Sequence, residues 1–264
     1  MDLQSKKTEN EKDFLENGYI VKNVSNKEDL KKISKNLFEY SKEILGSNFG
    51  DLDDLNFFNK IHDNITTKDL NEFRVNLINK INSNQETKKK LYEISKNLLH
   101  ELVGNELAVQ RRLNLSIQLP KDDSSLLPVH SDTWSGDSPF EIVTWLPLVD
   151  CYKTKSMYIL PPKYYEELQN NFEEFANKSA SDIFKKISNK VDWIDIKFGQ
   201  IMLFNQSLPH GNVVNNESES RWSINCRFKS LFSPYGDKKL GEFFEPISTK
   251  VMSKIGMKYS HPKT

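Results

Sequence analysis

The first hundred residues have the spacing of amphipathic helices. From Asn26 to about Val103, apolar residues recur at steps of three and four, which places one apolar stripe on each helix. Polar stretches at 46–54 and 83–87 predict surface turns between these helices. Because a single stripe needs a partner surface, we expect the helices to pack on another part of the chain. The stripes consist of Leu30, Ile33, Leu37, Tyr40, Ile44, Leu77, Ile81, Leu91, Ile94, Leu98 and Leu102.

After Gly104 the period of the pattern changes to two. In 107–119 the odd positions are apolar except Arg111, and most even positions are polar. This alternation predicts one long strand with a packed face and a polar face. Further strands are predicted at 140–148, 156–160, 191–196, 199–205 and 222–231, with a helical segment at 164–187.

These elements predict a mainly β protein, an antiparallel sandwich or jelly roll with one helical insertion. We expect one domain over residues 1–264, with a mostly helical part at 1–104 and the β core at 105–264. The apolar face of the long strand is the expected outer surface for the helices, and its polar face is expected to look into a cavity. The chain has no alternating βα pattern and no Gly-rich phosphate loop.

Composition narrows the classes of function. The chain has 37 basic and 37 acidic residues, and this zero balance argues against a general nucleic-acid binder. Its two cysteines, Cys151 and Cys226, cannot form a disulfide framework, which favours a reducing compartment. The start of the chain lacks the apolar core of a signal peptide, and no apolar run is long enough to span a membrane. We therefore expect a cytoplasmic protein with a small-molecule substrate.

Two histidines and one carboxylate form a candidate metal site. His130 and Asp132 follow the long strand, and residues two apart on an extended chain project to the same face. His210 precedes a glycine after a second strand and supplies a third ligand. Two histidines and one carboxylate, with open positions opposite, is the arrangement of non-haem Fe(II) oxygenases.

Arg221 is a candidate carboxylate anchor beside this site. It lies eleven residues after His210 in a segment that alternates like a strand. A guanidinium fork there can bind a carboxylate through two parallel hydrogen bonds. A 2-oxoacid cosubstrate needs both features, because it chelates the metal at one end and is anchored at the other.

The pattern His130-x-Asp132, His210 and Arg221 resembles that of the 2-oxoglutarate-dependent Fe(II) dioxygenases. Within them the chain is similar to the phytanoyl-CoA dioxygenase-like branch and to oxygenases of bacterial carbohydrate-biosynthesis clusters. The similarity covers residues from about 14 to 260 and is carried further by 14–20 (FLENGYI), 145–150 (WLPLVD) and 221–230 (RWSINCRFKS). It implies a double-stranded β-helix, a cupin-like jelly roll, with the metal inside one end.

The resemblance also implies roles for individual residues. His130, Asp132 and His210 match the iron ligands, and the cosubstrate-binding residues are Arg221, Trp145, Asn212 and Ser223. The cofactors implied are Fe(II), 2-oxoglutarate and O2, which react to give succinate and a hydroxylated substrate. Asp132 matters here, because related halogenases carry a small residue in its place. The segment 158–164 departs from the family, where relatives often have a Pro-Gly-Ser-His-like turn.

The substrate implied by the resemblance is a sugar or a sugar-derived intermediate of surface polysaccharide assembly. Candidate substrate-binding residues are Gln118, Trp134, Asp137 and Arg227. Each has a plainer alternative: a solvated strand face for Gln118, a loop anchor for Trp134 and Asp137, and an ion pair for Arg227.

Two other classes of function remain open from the sequence. One is a cupin-like binding protein that holds a metal or small ligand without turnover. The other is a zinc hydrolase that uses the same three ligands. Against the hydrolase, no general-base carboxylate stands near either histidine in the sequence.

Overall fold

The computed structural model describes residues 6–46, 53–175 and 178–261. Most of the predicted turn at 46–54, and residues 176–177 of the predicted helical segment, lie outside these described residues. The described parts contain eight α-helices and ten strands. The helices are α1 (Glu9–Asn17), α2 (Lys27–Leu45), α3 (Asp54–Asn59), α4 (Thr67–Asn82), α5 (Glu86–Leu102), α6 (Pro162–Asn170), α7 (Ala180–Ile187) and α8 (Val251–Gly256).

The strands form two sheets in which every strand-to-strand pairing is antiparallel. The large sheet has the order β1-β7-β4-β9-β2-β10, with β3 also paired to β9, and the small sheet has the order β6-β5-β8. This confirms a mostly antiparallel fold. The strands are β1 (Tyr19–Asn23), β2 (Leu107–Gln110), β3 (Asn114–Gln118), β4 (Glu141–Pro147), β5 (Tyr158–Ile159), β6 (Asp192–Trp193), β7 (Gln200–Asn205), β8 (His210–Gly211), β9 (Arg221–Ser230) and β10 (Phe244–Ser248).

The helices α3, α4 and α5 pack on one face of the large sheet. Trp222 of β9 is fully buried against the rings of Phe58, 4.7 Å away between centroids, and of Phe73, 6.0 Å away. Phe228, further along β9, stacks on Tyr92 of α5 at 6.3 Å. Apolar stripes and the apolar sheet face therefore share one core, as their spacing predicts.

The predicted long strand is interrupted. β2 and β3 both pair with β9, but residues 111–113 between them leave the ladder. Val109 of β2 pairs with Phe228, and Asn114 of β3 pairs with Asn225. Between these two pairs the chain advances five residues from β2 to β3 but only three residues along β9. Two extra residues thus bulge out, and because two is the strand period, the alternation of faces continues unchanged. Because the alternation is unchanged, the sequence pattern does not reveal the break between β2 and β3.

Several elements differ from the prediction in extent. The predicted strands at 156–160 and 191–196 reduce to β5 and β6, of two residues each. The short elements α1, β1, β8, β10 and α8 were not predicted, because segments of two to nine residues carry too few periods to recognise. Within the described residues, no helix has both the length and the apolar character required to cross a bilayer.

Candidate metal centre and its cavity

The three predicted metal ligands meet at one end of a cavity. Ligand atoms of His130, Asp132 and His210 all lie within 4.8 Å of one another. The backbone brings them together, since the N–H of each histidine donates to the carbonyl of the other at 3.0 and 2.9 Å. His210 lies in β8, and Asp132 begins a short 3-10 turn directly after this bridge.

Both histidines are oriented by the backbone two residues earlier. Nδ1 of His130 is 2.8 Å from the carbonyl oxygen of Pro128, and Nδ1 of His210 is 2.8 Å from that of Leu208. A carbonyl only accepts, so each Nδ1 carries a proton, and Nε2 is the ring nitrogen that faces the cluster and can bind a metal. Burial, and to a lesser extent the neighbouring His130, lowers the pKa of His210 to about 4. The His210 imidazole is therefore neutral at neutral pH and ready to bind a metal.

Asp132 is held in its ionised form and in one orientation. Its Oδ2 accepts a hydrogen bond from Nη2 of Arg227 at 2.7 Å, and its Oδ1 lies 3.8 Å from Nε2 of His130. Burial alone would raise the pKa of Asp132, but the Arg227 guanidinium and the two neighbouring histidines together hold the pKa below its usual value. One carboxylate oxygen is thus fixed by Arg227, and the other faces the two imidazoles.

Arg227 is enclosed by a buried polar network. Its Nε donates to Oε1 of Gln206 at 2.8 Å, and its guanidinium also lies 3.7 Å from Asp137 and 3.9 Å from Glu141. Gln206 in turn donates to Glu141 at 2.8 Å. Burial raises the pKa of Glu141. The Arg227 side chain is therefore already satisfied by protein groups, and its orientation follows from them.

Arg221 stands at the other end of the same cavity, which has a volume of about 300 Å³. The side chain is 3% exposed and donates to the carbonyl of Ser156 and the hydroxyl of Ser116, both at 3.1 Å. Its Nε has no hydrogen-bond partner, and no acidic residue lies within 4 Å of it in the described part of the chain. Burial lowers its pKa. A buried guanidinium without a counter-ion has strong affinity for an anion.

The other predicted cosubstrate residues lie around this end. Trp145 and Asn212 line the cavity, and Ser223 lies on the same face of β9 as Arg221. Asn212 accepts from the backbone N–H of Leu127 at 2.7 Å, which leaves its Nδ2 without a partner. The Ser223 hydroxyl is likewise buried and unpaired. Unpaired polar groups beside a guanidinium that has no counter-ion are typical of a site that a polar ligand completes.

The predicted substrate residues are distributed differently. Only Arg227 lines the cavity. Gln118 is buried and donates to the carbonyl of Val213, while Trp134 packs on Phe172 at 5.2 Å and is 37% exposed. Asp137 is buried between Arg227 and Lys238. The contacts of Trp134, Asp137 and Arg227 are those of a loop anchor and of ion pairs, whereas Gln118 is buried and does not lie on a solvated strand face.

Several lining residues, Ser116 and Asn225 among them, were not predicted as site residues. Ser116 and Asn225 face the cavity from adjacent strands, and Asn225 lies between the two arginines on β9. The sequence pattern that could have revealed Asn225 is the even spacing of residues 221, 225 and 227, which places them on one face of the strand. Polar residues on one face of a buried strand require polar surroundings.

A divalent metal fits this group of side chains. Two imidazoles with free Nε2 atoms and one carboxylate oxygen form a cluster of the size a single ion needs, with the cavity on the open side. The atom of each side chain that faces away from the metal position already has a hydrogen-bond partner: Pro128 for His130, Leu208 for His210 and Arg227 for Asp132. Such outer contacts are usual around metal ligands.

The fold resembles that of several solved non-haem enzymes. ThoJ, a non-heme monooxygenase in its apo form, superposes with a TM-score of 0.59 at 13% identity, over 92% of this chain and 84% of its own. SnoK, a non-heme α-ketoglutarate-dependent carbocyclase from nogalamycin biosynthesis, gives 0.52 at 14%, over 94% and 98%. HygX from Streptomyces hygroscopicus, with nickel and 2-oxoglutarate bound, gives 0.52 at 11%, over 88% and 90%.

Because sequence identity is low throughout, these similarities establish only the fold and how much of the chain shares it. No protein-family model matches the sequence, and no curated protein sequence matches it. The assignment of chemistry therefore rests on the residues of this chain.

Proposed function

We propose that the chain is an Fe(II)- and 2-oxoglutarate-dependent oxidoreductase. The proposal rests on one observation: the three candidate metal ligands and the buried Arg221 face the same cavity. Arg221 has no acidic partner among the described residues. 2-Oxoglutarate matches both ends, because its oxoacid group can chelate a metal and its far carboxylate can pair with a guanidinium. The solved structure of HygX with 2-oxoglutarate supports the same choice.

Each part of the cavity has a distinct task in this proposal. His130, Asp132 and His210 hold Fe(II), and Arg227 keeps the Asp132 carboxylate turned toward it. Arg221 anchors the far carboxylate of 2-oxoglutarate, and the free Nδ2 of Asn212 is available as a further donor. The buried indole of Trp145 covers one wall and keeps water out. When bound, Fe(II), 2-oxoglutarate and O2 would supply the oxidation of a substrate C–H bond.

Two observations favour this function over the alternatives. Asp132 is the only carboxylate among the described residues that line the cavity, so a hydrolase would lack a separate general base there. A protein that binds only a metal would have no use for a buried guanidinium without a counter-ion in the same cavity.

The finer parts of the proposal concern fold class, reaction and substrate. We assign the two antiparallel sheets that enclose the cavity to a double-stranded β-helix of the phytanoyl-CoA dioxygenase-like branch. We assign hydroxylation as the reaction, since Asp132 occupies the place that halogenases leave open. The substrate is a small polar molecule, for which Asn114 and Asn225 offer amide groups, and a sugar-derived intermediate of surface polysaccharide synthesis is the proposed class.

The test is formation of succinate from 2-oxoglutarate by the Fe(II)-loaded protein in air, with and without a panel of sugars, sugar acids and nucleotide sugars. Wild type should form succinate, faster with a substrate, and the product should gain one oxygen atom by mass spectrometry. Asp132→Ala and Arg221→Met should lose most of this turnover. Arg112→Met, which removes an exposed arginine bonded only to Asn79, should behave as wild type.

Equal succinate formation by wild type and Asp132→Ala would refute the metal assignment. Turnover with a product of unchanged oxygen content would keep the oxidoreductase and refute hydroxylation. No turnover with Fe(II) across the panel, combined with hydrolysis supported by zinc, would favour the hydrolase instead.

A further inference from the structure

The segment 250–259 presents an apolar stripe to solvent. Val251 is 72% exposed, Met252 71%, Ile255 56% and Tyr259 65%, although most apolar residues of this size are buried elsewhere in the described chain. At 100° per residue, Val251, Met252 and Ile255 fall within about 100° of the circumference of α8, and Tyr259 follows after the helix has ended. Together they form an exposed apolar stripe on α8 and the segment that follows it.

The opposite side of α8 is fixed to the body of the protein. The backbone N–H of Lys250 donates to Oε1 of Glu106 at 2.7 Å, and the hydroxyl of Ser253 hydrogen-bonds the same carboxylate, which lowers the pKa of Glu106. The hydroxyl of Ser248 donates to the carbonyl of Asn105 at 2.8 Å. Because Ser253 faces inward, the apolar stripe must face outward, and nothing in the described residues covers it.

The charge around the stripe is entirely basic. Lys250, the N-cap residue, and Lys254 are spaced four apart beside the stripe, Lys258 follows in the turn after α8, and all three are exposed. None of them forms an ion pair within the described residues. No Asp or Glu occurs from residue 246 to residue 264. A short amphipathic helix with lysines beside exposed Met, Ile, Val and Tyr is typical of segments that lie on a membrane surface.

We propose that α8 and its following turn, residues 250–259, bind the surface of an anionic phospholipid bilayer. The apolar stripe would enter the boundary between headgroups and acyl chains, and the three ammonium groups would reach the lipid phosphates. A lipid surface fits better than a protein partner. Two helical turns supply only a handful of side chains, whereas a specific protein interface takes about 20–30 residues on each side.

The test is co-sedimentation of the full-length protein with vesicles of 30% phosphatidylglycerol and 70% phosphatidylcholine, compared with vesicles of pure phosphatidylcholine. Wild type should bind the anionic vesicles and lose most binding at 0.5 M salt. The triple variant Lys250→Gln, Lys254→Gln, Lys258→Gln should bind roughly a hundredfold more weakly, at about fivefold for each lysine. The triple variant Val251→Ser, Met252→Ser, Ile255→Ser should weaken binding to both kinds of vesicle.

Matched controls alter similar residues elsewhere. Lys31→Gln with Lys185→Gln removes two exposed lysines, and Leu15→Ser with Phe232→Ser removes two exposed apolar side chains. Both pairs should bind vesicles as wild type does. Thermal melting of all variants should be unchanged, since the altered side chains are exposed.

Three results would overturn the proposal. One is no binding of wild type to anionic vesicles at low salt, and another is equal binding by wild type and both triple variants. The third is a wild-type dimer in analytical ultracentrifugation that becomes a monomer in the Val251→Ser, Met252→Ser, Ile255→Ser variant, which would assign the stripe to contact between two copies of the chain.

Discussion

At the scale of single residues, the site combines paired and unpaired charges. Arg227 has three carboxylates within 4 Å, whereas Arg221, six residues along the same strand face, has none in the described chain. This difference assigns different tasks to two residues of the same type. In the proposed function, Arg227 orients a metal ligand, and Arg221 is left for a ligand that carries its own negative charge.

Arg227→Lys tests the orienting task while it keeps the positive charge. Lysine cannot bond Asp132 and Gln206 together as the guanidinium fork does, so Asp132 should lose its fixed orientation. We expect about tenfold weaker Fe(II) or Co(II) binding by equilibrium titration. Arg227→Met removes the charge as well, which by itself favours a cation. Wild-type affinity in the Lys variant together with tighter binding in the Met variant would mean that Arg227 acts by charge alone.

Arg221→Met should make the ligand-free protein more stable. A buried guanidinium without a counter-ion costs free energy, and an apolar side chain of similar size removes that cost. We expect the free energy of unfolding to rise by about 1 kcal/mol or more in urea denaturation, with Arg112→Met as the neutral control. A clear loss of stability would show that the hydrogen bonds to Ser156 and Ser116 outweigh the unpaired charge.

At the scale of elements, the site depends on a close approach between short strands. β8 has two residues, and its Gly211 lies against the chain that carries His130. A Cβ atom at Gly211 would come within 2.7 Å of the carbonyl oxygen of Leu127 and 2.7 Å of the hydroxyl of Tyr158. The glycine therefore permits the bridge that brings His130 to His210.

Gly211→Ala should separate the two histidines. The overlap should lower the free energy of unfolding by about 1–3 kcal/mol and weaken metal binding as well. Gly256→Ala is the matched control, because a Cβ there meets nothing within 4 Å and α8 would gain slightly from alanine. Chemical denaturation and metal titration measure both effects. Wild-type values for Gly211→Ala would contradict this account of β8.

The sequence predicts elements well where they are long and regular. α2, α4 and α5 carry several turns of apolar stripe, β9 follows a clear alternation, and β4 and β7 are short, mostly apolar runs. The two-residue β8 carries no period at all, yet it holds His210, a proposed metal ligand. The network around Arg227 was also unpredictable, because Gln206 and Glu141 meet it only through the folding of distant segments.

At the scale of the whole molecule, the helical layer and the sheet share one core. Trp222 is fully buried under Phe57 and Phe58 of α3, while its neighbour Arg221 points into the cavity. The strand that carries the proposed cosubstrate residues is therefore supported from behind by the helices. We treat residues 1–264 as one domain on this basis, which remains a prediction.

A chain truncated to begin at Asn105 should be insoluble or unfolded. It would expose Trp222, Phe228 and the remaining apolar face of the large sheet to water. Expression of the truncated chain, followed by size-exclusion chromatography and circular dichroism, measures this. A soluble fragment that still consumes 2-oxoglutarate with Fe(II) would mean that the helices form a removable cap.

The central claim is that one cavity binds a metal at one end and a carboxylate at the other. Its most direct test is calorimetric titration of 2-oxoglutarate into the protein without oxygen, with and without Fe(II). We predict one site per chain, weak binding without metal or in His210→Ala, and roughly 30- to 150-fold weaker binding in Arg221→Met, from about 2–3 kcal/mol for a charge-assisted pair. Equal affinity with and without Fe(II), or in Arg221→Met and wild type, would contradict the claim.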